Sequence, residues 1–580
     1  GGINKTTQRN DAFNNSKTRS GNPATVYKVN GSVMYYETTN WLSENTLTFD
    51  KKFNRNHRLN AVAGFTAQGN KYGVHGLSAN QLPNEALGLN GLSQGVPQPV
   101  TSSESEWALA SMLARANYVY RDKYFLTASF RSDGSSKFRA DNQWSYFPSG
   151  AVAWEISKEK FMKQVRFISS AKVRASWGIT GNNRVSDYAT FALLDFATRN
   201  SYYSFGNELQ QSAIPITMAS TDLKWENTAQ TDVGLDVSFF KSRLSLAVDY
   251  YRKVTSDLLL NARLPPTVGD VSAFKNVGKT SNEGLEISLH TRNVDTKDFA
   301  WSSSFNISFN RSKVLALTQN QESLTSTMGW DSWYSSVALY IARIGQPVGQ
   351  FYGYIWDGVY GYDDFDPLPN GGFLLKEGVP TNGNTRAAIK PGDIKYRDLN
   401  GDGVVNVSDQ TVIGRGFPVH VGGFTNDFRY RGFDLNVFFQ WSYGNQVMNA
   451  NRINFENGNK TYLNQYKTFE NRWTPENTTS NIPRAGGQYG YVYSSRTLED
   501  GSFLRLKTVS LGYNIPAAVL KRAKIKSLRV FAAAQNLVTW TKYTGSDPEV
   551  AIGYSALTPG FDYSSYPRAR TTTLGLNLGL

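Results

Sequence analysis

A chain of 580 residues can make several soluble domains or one very large barrel, and 61 Lys and Arg against 47 Asp and Glu give it a formal charge of +14. The lack of Cys excludes a disulfide framework, a thiol nucleophile and a cysteine metal site, and four His (His57, His75, His290, His420) without paired spacing argue against zinc chemistry. Lys and Arg are scattered singly or in alternating pairs such as Lys172/Arg174 and Arg505/Lys507, a pattern that argues against nucleic acid and suits an acidic, lipopolysaccharide-coated membrane or an acidic partner.

Residues 1–29 read as a polar loop at the start of a fragment or processed product, because the chain opens Gly1-Gly2-Ile3-Asn4 without an initiator Met or a signal peptide. From residue 30 to 580 short alternating segments recur. Leu47 and Phe49 share a parity, then Leu59, Ala61, Ala63 and Phe65, before a Gly/Asn/Ser/Pro-rich stretch at 68–104 that reads as an extended loop. A hairpin follows, Ala114-Ala116-Tyr118-Tyr120 against Tyr124-Leu126-Ala128-Phe130, and then Val152-Trp154-Ile156 and Val173-Ala175-Trp177-Ile179. Beyond a loop at 181–224 come Leu235-Val237-Phe239, Leu244-Leu246-Val248-Tyr250, Leu285-Ile287-Leu289 and Phe305-Ile307-Phe309. The clearest alternation is Phe433-Leu435-Val437-Phe439-Trp441-Tyr443, set against Asp434, Asn436, Phe438, Gln440 and Ser442.

The last strand places Leu574, Leu576, Leu578 and Leu580 on one face and Thr573, Gly575, Asn577 and Gly579 on the other. Between 503 and 513 the apolar parity switches from Leu504/Leu506 to Val509/Leu511/Tyr513, which predicts a β-bulge near Lys507 and Thr508. Pro516 to Arg522 reads as a helix of a turn or two. About 16 such strands recur, most of them long enough to cross a bilayer when tilted, and no run of about 20 apolar residues offers a membrane helix instead. Turns at 240–244, 430–433 and 120–124 are short, whereas 68–104, 181–224, 257–277, 315–418 and 445–500 are very long. Soluble β-sandwiches rarely carry such loops; one side of a transmembrane antiparallel β-barrel does.

Chemistry-bearing motifs are few. From Asp398 to Asp409, oxygen-bearing side chains fall at the first, third, fifth, ninth and twelfth positions (Asp398, Asn400, Asp402, Asn406, Asp409), with Gly403 at the sixth. With the Val404 carbonyl this is the ligand spacing of an EF-hand loop in which Asp replaces the last Glu, and it predicts a structural Ca²⁺. No helix pair flanks it, which argues against a calcium sensor. Asp363, Asp364 and Asp366 read as a solvated acidic loop in preference to a glycosidase pair, and no catalytic constellation can be assembled. Trp330, Trp333 and Tyr334 are candidate contacts for a sugar or peptide, with packing inside their own loop as the alternative.

Five stretches together resemble the SusC/RagA-type TonB-dependent outer-membrane transporters of Bacteroidota: Asp222 to Leu235, Gly345 to Tyr354, Gly392 to Gly403, Phe503 to Tyr513 and Val530 to Leu537. The resemblance implies a 22-stranded barrel of which this chain supplies the C-terminal portion. It further implies a plug and a TonB-contacting segment outside these residues, a SusD-like surface lipoprotein as lid, and import of glycans or peptides driven by TonB-ExbB-ExbD. Outer-membrane barrels often end in an aromatic, where this chain has Leu580. Two readings from other classes stand beside it, a passive porin or structural barrel and a soluble calcium-binding glycan-recognition β protein.

Overall fold

A computed structural model describes residues 1–196, 202–263, 272–317, 321–460, 463–487, 492–521, 524–549, 551–553 and 555–579. Sixteen strands of nine residues or more, with the short Val96–Pro97, belong to one large sheet. They are β1 (Gly2–Asn14), β2 (Asn30–Lys52), β3 (His57–Asn80), β4 (Thr101–Tyr120), β5 (Tyr124–Ser135), β6 (Trp144–Glu155), β7 (Ile168–Asn182) and β8 (Glu226–Phe239). Then come β9 (Leu244–Ser256), β10 (Lys279–Asp295), β11 (Phe299–Ala316), β12 (His420–Tyr430), β13 (Phe433–Tyr443), β14 (Phe503–Asn514), β15 (Ser527–Thr541) and β16 (Thr571–Gly579). Among the described residues no helix is long and apolar enough to cross a membrane.

The chain divides into two compact units. In the first (1–154, 174–231 and 255–278), β1 to β6 form an antiparallel meander in which each strand pairs with the next. The alternation in β2 to β5 makes these ladders: each residue needs a cross-strand partner of the same face, and Leu47 opposes Ala63 as Ala116 opposes Ala128. Beside them a small core gathers Phe138, Phe147, Val185, Ala189, Leu223 and Trp225, and the Trp225 indole N–H donates to the Gln143 carbonyl at 3.0 Å. The Asp222-Leu-Lys-Trp225 motif is thereby a packing device, with Leu223 and Trp225 both buried.

In the second unit (155–173, 232–254 and 279–580), β10 to β16 are likewise antiparallel neighbours in sequence order. One face stacks Leu289 on Phe305, Phe424 and Phe439, and Leu511 on Leu435 and Ala532. The other face carries His290, Ser304, Thr425, Asn436 and Ser510. The apolar face is bare: Leu574 is 80% and Leu576 67% exposed. Each such side chain left in water forfeits about 1.5–3 kcal/mol relative to burial, so this face is built for an apolar surrounding.

The predicted bulge is present. Phe438 opposes Thr508 and Phe439 opposes Leu506, so Lys507 has no partner on β13 and the apolar parity shifts there. The predicted helix is Ala517–Leu520, with Pro516 as its N-cap; Arg522 lies outside the described residues, as does Leu580 of the last strand.

Three expectations are corrected. Residues 1–29 are not all loop, because Gly2–Asn14 pairs along its whole length with β2; its residues are polar on both faces and gave no alternation to read. The loop at 68–104 shrinks to 81–100, since β3 and β4 run on as a paired ribbon through the Gly- and Ser-rich stretches. The remaining long loops are not structureless. Strands Ser323–Thr327, Ala338–Arg343, Gln350–Gly353 and Thr411–Arg415 form a sheet within 315–418, and helix Ala450–Phe455 lies within 445–500. These pieces are too short for local periodicity to reveal, and Gln350–Gly353 pairs with Thr411–Arg415 about sixty residues on.

Candidate cargo-binding loops and the 398–409 loop

Within the second unit the long connections are folded around a shared aromatic core. Leu339, Tyr340, Phe351, Met448, Tyr493 and Phe561 are all but inaccessible there. The backbone makes the approach tight: at Gly353 a Cβ would stand 2.4 Å from the Tyr493 carbonyl oxygen, and the neighbouring Tyr354 N–H donates to that carbonyl at 3.0 Å. This is why the Gln350-Phe-Tyr-Gly-Tyr354 segment needs glycine at its fourth position. Trp330 belongs to this core: its indole N–H donates to the Tyr493 hydroxyl at 2.6 Å and its ring lies 4.6 Å from that of Tyr563. Tyr334 is buried beside it, so of the three candidate cargo contacts Trp333 alone is exposed, at 56%.

Charge pairs staple the loops together. Glu456 accepts from Arg452 at 2.9 Å and from Arg496 at 2.8 Å, and Glu499 accepts from Arg452 at 3.1 Å and from the Thr544 amide at 2.7 Å. A second cluster ties the 542–570 connection to the polar face of the sheet. The fully buried Arg505 of β14 donates to Asp547 at 2.6 Å, to Glu549 at 2.8 Å and to Thr539 at 3.0 Å, and the half-exposed Arg568 adds a contact to Glu549 at 3.3 Å. A cavity of about 580 Å³ lies alongside, its wall including Asn306, Phe438, Gln440 and Glu549. Sequence reading missed this cluster, because Arg505 and Asp547 are 42 residues apart and neither sits in a recognisable motif.

The 398–409 loop closes on its own backbone. Asp398 accepts from the Gly401 and Gly403 amides, each at 2.7 Å, while Asp402 accepts from Val404 at 2.8 Å and Asn406 from Ser408 at 2.9 Å. The buried Asp409 accepts from Leu399 and from Asn406, both at 2.8 Å. Gly401 and Gly403 take φ of 76° and 79°, which glycine adopts without strain. The amides of Gly403 and then Gly401 hold the Asp398 carboxyl below the usual carboxylate range, although partial desolvation opposes them. Because that folded-state value is depressed, its stabilising effect persists at neutral pH and is lost only as pH falls through the lowered value. Among the described residues, no three His, Cys, Asp or Glu side chains converge as they do around a bound metal. The acidic segment is also structural: Asp364 accepts from the Gly361 amide at 3.0 Å and pairs with Lys395 at 3.3 Å.

Comparisons with known proteins agree with this architecture. The family described as TonB dependent receptor-like, beta-barrel, matches residues 2–375. The chain is 36% identical over 551 residues to TonB-dependent receptor P3 of Formosa agariphila, covering 94% of this chain and 52% of that protein. It is 30% identical over 482 residues to TonB-dependent receptor SusC of Bacteroides thetaiotaomicron, covering 81% and 43% respectively. Among solved structures, the RagAB peptide importer in its 'open-open' state superposes with a TM-score of 0.80 at 25% identity, over 100% of this chain and 58% of that one. The chain thus spans about half the length of the curated relatives it matches.

Proposed function

The chain belongs to the TonB-dependent receptor-like β-barrel family, and from that premise we propose that it forms the wall and outer loops of an importer of oligosaccharides or peptides. It is an outer-membrane β-barrel chain of the SusC/RagA type, whose relatives come from Bacteroidota. The observation that carries the import reading is the two-faced ladder of β10 to β16: one face of Leu, Phe and Val for lipid, the other of Ser, Asn, Thr and Gly for a wet interior. Folded loops over such an interior are suited to hold cargo beneath a SusD-like lipoprotein. In this reading, a plug segment pulled by TonB-ExbB-ExbD opens the path. Exposed Trp333 is the proposed aromatic contact for cargo, and half-buried Trp330 and buried Tyr334 are its support.

The test is uptake by cells carrying the whole receptor, supplied with fluorescent oligosaccharide and peptide panels, in strains with and without TonB. We expect accumulation of one class, abolished without TonB. Uptake that persists without TonB would establish the passive porin in its place.

For the 398–409 loop we propose one structural Ca²⁺, supported by its donor set of three carboxylates, two side-chain amide oxygens and the Val404 carbonyl. Asp398 and Asp402 would have to turn a free lone pair toward the ion. Calcium in place of a chelator is expected to raise the unfolding temperature, and Asp402→Ala to remove that rise; an unchanged temperature would leave the loop standing on its own amides.

A further inference from the structure

The antiparallel order of β10 to β16 sends connections alternately to two ends, and the charges separate with them. In the second unit, connections 156–167, 240–243, 296–298, 431–432 and 515–526 meet at one end. The Phe240 amide donates to the Phe167 carbonyl at 2.8 Å, and Arg292 to the carbonyl of Arg243 at 2.7 Å. Arg431 donates to Asp298 at 3.2 Å, and Asn514 to Gly432 at 2.8 Å. These five connections contain twelve Lys or Arg and two Asp or Glu, a net charge of +10. The three connections at the opposite end, 317–419, 444–502 and 542–570, contain sixteen Lys or Arg and nineteen Asp or Glu, a net charge of −3. The cations that look dispersed along the sequence are therefore gathered by the topology into one rim.

All eleven described cations of the rim are exposed: Lys158, Lys160, Lys163 and Arg166 on one connection, Lys521, Lys524 and Lys526 on another, with Lys241, Arg243, Lys297 and Arg431 between. The strand-end residues beside them, Glu155 and Asp295 against Arg292 and Arg429, leave the balance unchanged. Just inside the cations lies a band of exposed aromatics, Phe167, Phe240, Tyr430 and Phe433, and Phe167 stacks on Phe239 with ring centres 6.2 Å apart. Aromatic rings settle at the level of lipid headgroups, and Lys and Arg stems reach past them to the phosphates. A neutral surface would need no such excess of charge at this end.

We infer that this rim is a docking surface for anionic phospholipid headgroups, held by the Lys and Arg of the short connections. The inference rests on the outer-membrane reading, which puts short turns on the periplasmic side, where the facing leaflet is phospholipid. Of the two readings the sequence offers for its cations, a lipopolysaccharide-coated membrane or an acidic partner, the assignment favours neither at the end of the long connections, which carry no positive excess.

The test uses the full-length receptor in mixed micelles holding equal phosphatidylglycerol and phosphatidylcholine, with retained lipids counted by native mass spectrometry. We expect phosphatidylglycerol to be retained several-fold over phosphatidylcholine, and the preference to fade as salt is raised. Replacing Lys158, Lys160, Lys163, Lys521, Lys524 and Lys526 by Gln should reduce the preference at least about fivefold. Replacing Lys376, Lys390 and Lys395 of the opposite end by Gln should leave it intact. Both variants must first show the heat-modifiable gel shift of a folded barrel, which separates loss of lipid from loss of fold. Equal retention of the two lipids by the unaltered receptor would overturn the inference. So would a preference that survives the six Gln substitutions; cross-linking to an acidic periplasmic protein that those substitutions abolish would then assign the rim to that protein. Neither result bears on TonB-dependent uptake, so failure here is distinct from failure of the import reading.

Discussion

Arg505→Met is expected to destabilise the second unit by about 3–5 kcal/mol, the loss seen when one partner of a buried ion pair is removed. Arg505 is 1% exposed and meets Asp547, Glu549 and Thr539 at once, so the substitution strands two carboxylates with no equivalent cation. Arg568 is a poor substitute, with contacts at 3.3 and 4.0 Å and a side chain 41% exposed. Arg568→Met should accordingly cost at most about 1 kcal/mol, as exposed pairs do. Because Arg505 fixes the 542–570 connection to the wall, limited proteolysis should cut that connection first in the Arg505 variant. Urea denaturation of the two variants in the same detergent measures the contrast. Equal stability of the two would show that the buried cluster contributes no more than an exposed pair.

The second large effect concerns the two faces of β13. Val437→Arg places a guanidinium on the apolar face near the middle of the strand, where it opposes Val509, and is expected to cost about 2–4 kcal/mol in a bilayer. Asn436→Arg, one residue away, points to the polar face beside Asp427, whose carboxylate now accepts from the Asn436 amide at 2.7 Å. There the new cation meets water and an acid, and the change should be within about 1 kcal/mol. Folding into liposomes, followed by the gel shift between folded and unfolded forms, gives both values. Similar losses at the two positions would mean that both faces meet the same medium.

Strand-level organisation was legible because a sheet face is written at a period of two residues. Phe433 to Tyr443 and Leu574 to Leu578 announce their faces, and the parity switch at Lys507 gave the bulge to within a residue. β1 was not legible: Lys5, Thr7 and Arg9 alternate with residues no more apolar than themselves, and only the ladder to β2 makes them a strand. The loops follow the same rule. The EF-hand spacing from Asp398 to Asp409 is local and was read; the geometry adds that its oxygens are already engaged by the loop's amides. Trp330 and Tyr334 stand within three residues of Trp333 in sequence, yet the first two pack on Tyr493 and Phe561, more than 150 residues away. The Arg505 cluster and the cationic rim arise from three-dimensional neighbours, and neither leaves a trace in a sliding window.

These strands form a membrane wall with lipid on one side and water on the other. The 580 residues contain no Cys, so single cysteines can be introduced one at a time from 433 to 443 and from 503 to 514 without a background in this chain. Nitroxide labels at these sites in reconstituted receptor would be scored for collisions with oxygen, which concentrates in lipid, and with a water-soluble nickel chelate. Strict two-residue alternation is expected along β13, oxygen-accessible at 433, 435, 437, 439 and 441. Along β14 the same alternation is expected with its phase reversed across Lys507, so that 504 and 506 and then 509 and 511 are oxygen-accessible. Uniform access to the nickel chelate at every position, or alternation that runs unbroken through 507, would contradict the two-sided wall.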